Sequence, residues 1–181
     1  MGRMAGYSGT PLPRKLGLKP GARLGLVNPP AAFARTLGEL PPGVAVQAVS
    51  PGKTPFDAIV CFAPTMDGLA RRLPGLKARL SPAGGLWIAW RKKGKTPSSE
   101  LATDVSESGV RAIGLAAGLV DNKVCAIDDV WSGLRFVFRL VDRPRVARAA
   151  KPRRTAGATR RRDGGTAGRI EKAGGQRFGL A

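Results

Sequence analysis

Residues 123–140, KVCAIDDVWSGLRFVFRL, hold two apolar runs separated by a short polar turn, with no room for a helix between them. Two strands joined that way must pair antiparallel, because a parallel pair needs a crossover of roughly a dozen residues or more. In the second run Leu134, Phe136, Phe138 and Leu140 alternate with Arg135 and Arg139. The apolar set therefore falls on one face, and the pattern suits a half-exposed sheet edge. The first run ends in Asp128 and Asp129, ahead of a turn placed around Trp131, Ser132 and Gly133. This hairpin closes the edge of the sheet that precedes it.

The upstream strands are of another kind. ARLGLVN (22–28), FDAIVCFA (56–63) and LWIAW (86–90) are continuous and apolar, as in sheets covered on both faces, and GVAVQAV (43–49) alternates. Helical stretches lie among them. Thr10 is an N-cap candidate with Pro11 at the first helical position and Gly17 past the end, and residues 29–38 run from a proline to Gly38. In residues 65–80, Met66, Leu69, Leu73, Leu76 and Leu80 keep helical spacing, and Pro74 is expected to kink or divide the helix. Asp104 and Glu107 fit a capping box opening a helix that Gly118 stops, while SPAGG (81–85) is expected to be a turn. The alternation predicts an α/β fold: a small Rossmann-like, mostly parallel sheet with helices on both faces and a C-terminal antiparallel edge hairpin.

The chain has 181 residues, enough for one core, and carries a net charge of +19 from 31 basic and 12 acidic residues. From residue 143 onward there are 10 arginines and 2 lysines against 2 acids, spaced by Ala, Gly and Pro, with Phe178 as the one aromatic. So little apolar surface leaves the ordering entropy uncompensated, which predicts a domain over residues 1–142 and a disordered basic tail over 143–181. Such a tail is expected to contact nucleic acid through phosphates, without sequence preference or base stacking. No histidine is present, and Cys61 and Cys125 sit in apolar runs. Disulfide frameworks and zinc sites are therefore not expected, nor is a metal or catalytic residue assigned. The N-terminus has no signal-type apolar stretch and no run nears the roughly 20 apolar residues of a membrane helix, so a cytoplasmic protein without membrane contact is expected.

Ligands in open α/β sheets favour the crevice beyond the carboxyl ends of the strands. That rule groups Asn28, residues 64–67 and residues 91–95 at one rim. RKKGK (91–95) supplies Arg91, Lys92, Lys93 and Lys95 as candidates for anion or nucleic-acid contact, with a solvated loop as the competing reading. The tail adds Arg153, Arg154, Arg160, Arg161 and Arg162 to that set. Asp128 and Asp129 are adjacent in a strand and so face opposite ways; turn chemistry, or pairing with Arg135, explains them better than a catalytic pair. The cysteines are expected as small buried residues of central strands, Trp87 and Trp90 as core, and Trp131 as the best placed of the three tryptophans for exposure, with packing still favoured.

Two stretches, MAGYSGTPLPRKLGLKPGARLGLVNPP (4–30) and GLAAGLVDNKVCAIDDVWSGLRFVFRL (114–140), closely resemble the ends of a bacterial domain-of-unknown-function family common in actinobacteria. LSPAGGLWIAW (80–90) resembles the turn before the fifth strand of methyltransferase-type Rossmann folds. The resemblance spans about residues 4–142 and implies a methyltransferase-like Rossmann fold, Met4 as the usual start, and no known activity. It departs where such methyltransferases carry a glycine-rich loop: LVNPPAAF (26–33) has Pro29 and Pro30 there, which remove two backbone donors. At least one strand-helix unit is also missing, and no cofactor residue carries over. The expected function is a non-catalytic binding or regulatory domain with a nucleic-acid-touching tail, an unidentified protein partner and no cofactor. The alternatives are a divergent S-adenosylmethionine-dependent methyltransferase and a protein-binding scaffold.

Overall fold

Hydrogen bonding in the computed structural model, which describes residues 9–93 and 103–150, joins six strands into one sheet. They are β1 (Arg23–Val27), β2 (Ala45–Ala48), β3 (Phe56–Phe62), β4 (Leu80–Arg91), β5 (Leu119–Ala126) and β6 (Trp131–Phe138), in the order β2-β1-β3-β4-β6-β5. The first four are parallel, and β6 lies antiparallel between β4 and β5. Among the described residues five α-helices accompany them: α1 (Leu12–Leu16), α2 (Phe33–Leu37), α3 (Met66–Ala78), α4 (Glu107–Ala116) and α5 (Arg143–Ala150). The expected Rossmann-like α/β sheet with its C-terminal hairpin is present, and no helix among the described residues is long and apolar enough to cross a membrane.

Continuous apolar strands feed two cores. Ile59, Cys61, Leu86, Ile88, Leu134 and Phe136 face α3, α4 and α5 on one side of the sheet. Ala58, Val60, Phe62, Trp87 and Ala89 face α1 and α2 on the other. Between β2 and β3 residues 49–55 return the chain without a helix, which is feasible because β2 has only four residues to retrace.

Several local expectations are corrected. The hairpin turn lies at residues 127–130, so Trp131 opens β6 instead of capping the turn. β6 is an interior strand and the outer strand is β5, which places Cys125 on an edge, half-buried. Leu140 falls beyond β6, in a 3-10 turn (Leu140–Asp142), and is 73% exposed. SPAGG is not a turn: β4 runs through it, and the pairing with β3 jumps register between Phe56↔Leu80 and Ala58↔Gly85, which absorbs the extra residues. Pro74 does not divide α3, because the helix continues to Ala78 with its proline on the exposed side.

The chain also stays ordered past Asp142. Arg143–Ala150 form α5, and Val146 packs on the core under α3 and α4. Eight residues suffice because one apolar side chain finds the sheet while Arg145 and Arg148 stay outside, a local amphipathicity that bulk composition hides.

α4 approaches β6 closely at Gly114. A methyl group there would overlap the Phe136 ring, which is fully buried. Gly114→Ala recovers about 1 kcal/mol of helix propensity, but overpacking a rigid ring costs about 1–3 kcal/mol or more. We expect a net loss in urea unfolding; an unchanged midpoint would show that α4 shifts freely.

Candidate functional site

The chain leaves β1 for β2 on one side and comes back to β3 on the other. That makes β1/β3 the topological switch, where open α/β sheets form a crevice beyond the carboxyl ends of the strands. A cavity of about 300 Å3 lies there, lined by Asn28 from the end of β1, Cys61, Phe62 and Ala63 from the end of β3, and Thr65, Leu69, Arg71 and Arg72 from the start of α3.

Asn28 has φ +49, the only non-glycine residue among those described with a left-handed backbone. Asparagine tolerates that region better than most residues. It turns the chain abruptly out of β1, and its Nδ2 donates to the Phe62 carbonyl at 3.4 Å. Pro29 and Pro30 follow, so this exit offers no run of N–H donors.

At the neighbouring strand end, Thr65 caps α3 by accepting from Gly68 N at 3.2 Å. Asp104 is not the N-cap of α4. Its Oδ1 accepts from Met66 N at 3.0 Å and so occupies the amino end of α3, while Thr103 Oγ1 donates to the Pro64 carbonyl at 3.1 Å. Ser106 is the α4 cap, accepting from Gly109 N at 3.2 Å. Sequence spacing alone could not choose between Asp104 and Ser106, since both precede an acceptable first turn. What decided it is the tertiary pairing of Asp104 with α3.

Cys61 is 1% exposed on the crevice floor. Burial pushes its thiol up to about 11, with the positive charge of Arg72 working weakly the other way. Near neutral pH it is a protonated, poorly nucleophilic thiol. Burial raises Cys125 as well.

The predicted anion contacts separate. Arg91 ends β4 with its guanidinium 5.4 Å from the centre of the Trp131 ring, and Trp131 packs edge-on against Phe62, which packs edge-on against Phe33, both at 4.9 Å. Trp131 is thus a packed, half-buried ring. Lys92 is a structural residue: its Nζ donates to the Asp128 carbonyl at 2.7 Å and its backbone N to Val130 at 2.8 Å. Only Lys93 is exposed, at the side of an open groove of about 420 Å3 beside Trp90, Ser106 and Arg111. Lys95, Arg153, Arg154, Arg160, Arg161 and Arg162 lie outside the described residues.

Asp128 serves the turn, accepting from Val130 N and Trp131 N at 2.8 and 2.7 Å. Arg135 is not its partner and donates instead to Asn122 Oδ1 at 3.4 Å. Most other carboxylates are similarly engaged: Asp67 with Arg71, Glu107 and Asp121 with Arg111, Asp142 with Arg139. Among the described residues no cluster of three or more His, Cys, Asp or Glu side chains is placed to hold a metal ion.

Fold and crevice together define a Rossmann-like α/β domain with a crevice at its β1/β3 switch. No family model matches the chain, and no curated protein matches it. Three solved structures illustrate the likeness in fold. A SAM-dependent methyltransferase from Aquifex aeolicus is 18% identical with a TM-score of 0.49, over 68% of this chain and 85% of that one. Aeropyrum pernix fibrillarin in complex with natively bound S-adenosyl-L-methionine is 11% identical with a TM-score of 0.48, over 70% and 73%. Ribosomal protein L11 methylase from Lactobacillus delbrueckii subsp. bulgaricus is 11% identical with a TM-score of 0.47, over 71% and 75%. The likeness is one of fold.

Proposed function

We propose that the protein is a ligand-binding Rossmann-like domain that takes a small molecule with an apolar body and one anionic group in the β1/β3 crevice. The lining of that crevice supports this reading: Cys61, Phe62, Ala63 and Leu69 present apolar surface, and Arg72, which has no ion-pair partner among the described residues, supplies the charge. Small-molecule sites have this composition, mostly apolar with a few placed polar groups.

The competing reading is methyl transfer from S-adenosylmethionine, the molecule bound in the Aeropyrum fibrillarin structure. In its favour, the crevice stands where Rossmann sheets hold nucleosides, and left-handed Asn28 keeps the sharp exit from β1 that a glycine would otherwise provide. The donor set does not fit that molecule in the usual way. Two prolines replace the glycine donors, and the end of β2 carries Ala48, Val49 and Ser50 where an acidic residue would meet ribose hydroxyls.

Thermal unfolding of the full chain distinguishes the two. A ligand present at 100 times its dissociation constant adds about 2.7 kcal/mol if it binds only the folded state. Stabilisation by hexanoate or benzoate that Arg72→Gln abolishes is the expected result. Stabilisation by S-adenosylmethionine or S-adenosylhomocysteine alone would replace this reading with methyl transfer, and no shift with any of these would overturn the crevice assignment.

Nucleic-acid contact belongs to the same proposal. Residues 151–181 carry nine basic and two acidic residues, a charge density suited to phosphate neutralisation. We expect the full chain to bind duplex DNA with an affinity that falls steeply with salt, and truncation after Ala150 to remove most of it. Cutting after Asp142 would confuse the result, since it deletes α5. Binding that survives truncation would shift the interface to the body, and no binding at moderate salt would end the proposal.

A further inference from the structure

We propose that Asp104 sets the charge that the β1/β3 crevice accepts, admitting a monoanion of the carboxylate class and turning away a phosphate dianion. The inference rests on the crevice reading above and narrows its ligand class. Phosphates in Rossmann-type crevices are met by the N–H groups and the positive dipole at a helix amino end. Here the exit from β1 carries Pro29 and Pro30, and the helix that follows them, α2, has only five residues. That leaves α3, thirteen residues long, whose cap and first turn supply Thr65 and Gly68 to the wall of the cavity.

The chain itself occupies that helix end. Asp104 Oδ1 accepts from Met66 N at 3.0 Å, and Met66 lies between Thr65 and Gly68 in the chain. Beside it, Thr103 Oγ1 donates to the carbonyl of Pro64, another wall residue, at 3.1 Å. Gly68 N is held in turn by Thr65 Oγ1 at 3.2 Å. A carboxylate delivered from 38 residues along the chain thus answers the positive end of the α3 dipole, next to the cavity wall. Asp67, the other acid at this end of α3, is paired with Arg71, and the two cancel. Asp104 has no ion pair among the described residues, so its charge stays in place beside the crevice.

The balance of charge then favours one anionic group. Arg72 contributes one unmatched positive charge to the crevice, and Asp104 offsets the helix end. A monoanion on Arg72 completes the count. A dianion would bring a second negative charge toward Asp104, with two of the N–H groups of the first turn of α3 already bonded within the protein. Selectivity of this kind comes from a repulsive element built against the wrong ligand.

The test determines the dissociation constants of benzoate and phenyl phosphate for the full chain, from midpoint titrations at pH 8 and low ionic strength. The two compounds share an apolar body, and a phosphate monoester is close to doubly charged at that pH. Wild type should bind benzoate more tightly. Asp104→Asn keeps an oxygen for Met66 N and removes the charge. Each unit of ligand charge should then gain about two- to fivefold, the span of one charge at a helix end, so the preference for benzoate falls by about that factor. Asp104→Ser, a smaller neutral cap, repeats the comparison should the amide disturb the fold. Thr103→Ala loosens the same contact with the charge in place and should leave the preference unchanged. Tighter wild-type binding of phenyl phosphate, an unchanged preference in the Asp104 variants, or an equal change in Thr103→Ala would overturn the role of Asp104 and leave the crevice standing. No benzoate binding by wild type would instead remove the crevice reading, and this inference with it.

Discussion

Trp87→Ala should lower the unfolding free energy by about 3–5 kcal/mol, the range for removing a large aromatic from a packed core. Trp87 is wholly buried in the middle of β4. It packs among Leu16, Phe62 and Ala89 on the α1/α2 side of the sheet. Its Nε1 also donates to the Leu16 carbonyl at 3.3 Å, at the end of α1. Five-residue helices such as α1 are not stable by themselves, so this bond and the ring beneath it hold α1 on the sheet. Domains of this size have about 5–15 kcal/mol in total, and the variant is therefore expected to be largely unfolded at 37 °C. Trp87→Phe separates the two contributions: it keeps an aromatic ring and loses the bond to Leu16, and should cost about 1–3 kcal/mol. A Trp87→Ala protein with a urea midpoint near wild type would mean that α1 does not depend on the sheet face it covers.

The second large effect lies in alkaline solution. The Cys61 thiol is raised from 9.0 to about 11 by burial. A group whose folded value lies above its unfolded value contributes stability that is complete below pH 9 and is lost as pH rises through 11, because the unfolded chain gives up its proton first. Two units correspond to about 3 kcal/mol. Other alkaline titrations act on wild type and variant alike, so the informative quantity is the stability difference between wild type and Cys61→Ala. That difference should move by about 2 kcal/mol toward the variant between pH 8.5 and 11, most of the full linkage. A constant difference over that interval would show that the thiol ionises as easily in the fold as out of it. Because the same thiol floors the crevice, native labelling by iodoacetamide at pH 8 should reach half-buried Cys125 before Cys61.

Much of the architecture was legible in the chain. Continuous runs such as FDAIVCFA belong to strands covered on both faces, and the helix-free hairpin at residues 119–138 had to be antiparallel. Proline and glycine signals located both ends of α1 to within a residue and the C-terminal end of α2 at Gly38, but α2 starts at Phe33, four residues after the proline expected to open it. Period-2 alternation in β6 gives its faces correctly but not its neighbours, since Arg135 is half-buried with its guanidinium over Gly85 where a solvent edge was expected. Alternation reports which side of a sheet a residue takes; whether another strand lies alongside is decided elsewhere in the chain.

The candidate sites follow the same division. Residue types and strand ends placed Asn28 and residues 64–67 at the rim from sequence alone, since the carboxyl ends of parallel strands share one side of the sheet. Arg91, Lys92 and Lys93 looked equivalent in sequence, and only the fold gave one to a tryptophan face, one to a turn carbonyl and one to solvent. By itself the sequence determined the α/β class, the hairpin and the basic character of the chain, because those depend on local pattern and composition. Tertiary structure alone decided that Asp104 serves α3, that α5 packs on the body, and that the Arg135 guanidinium lies over Gly85. Those are contacts between residues far apart in the chain or on different elements, set by how β-strands register and helices pack, and no local spacing encodes them.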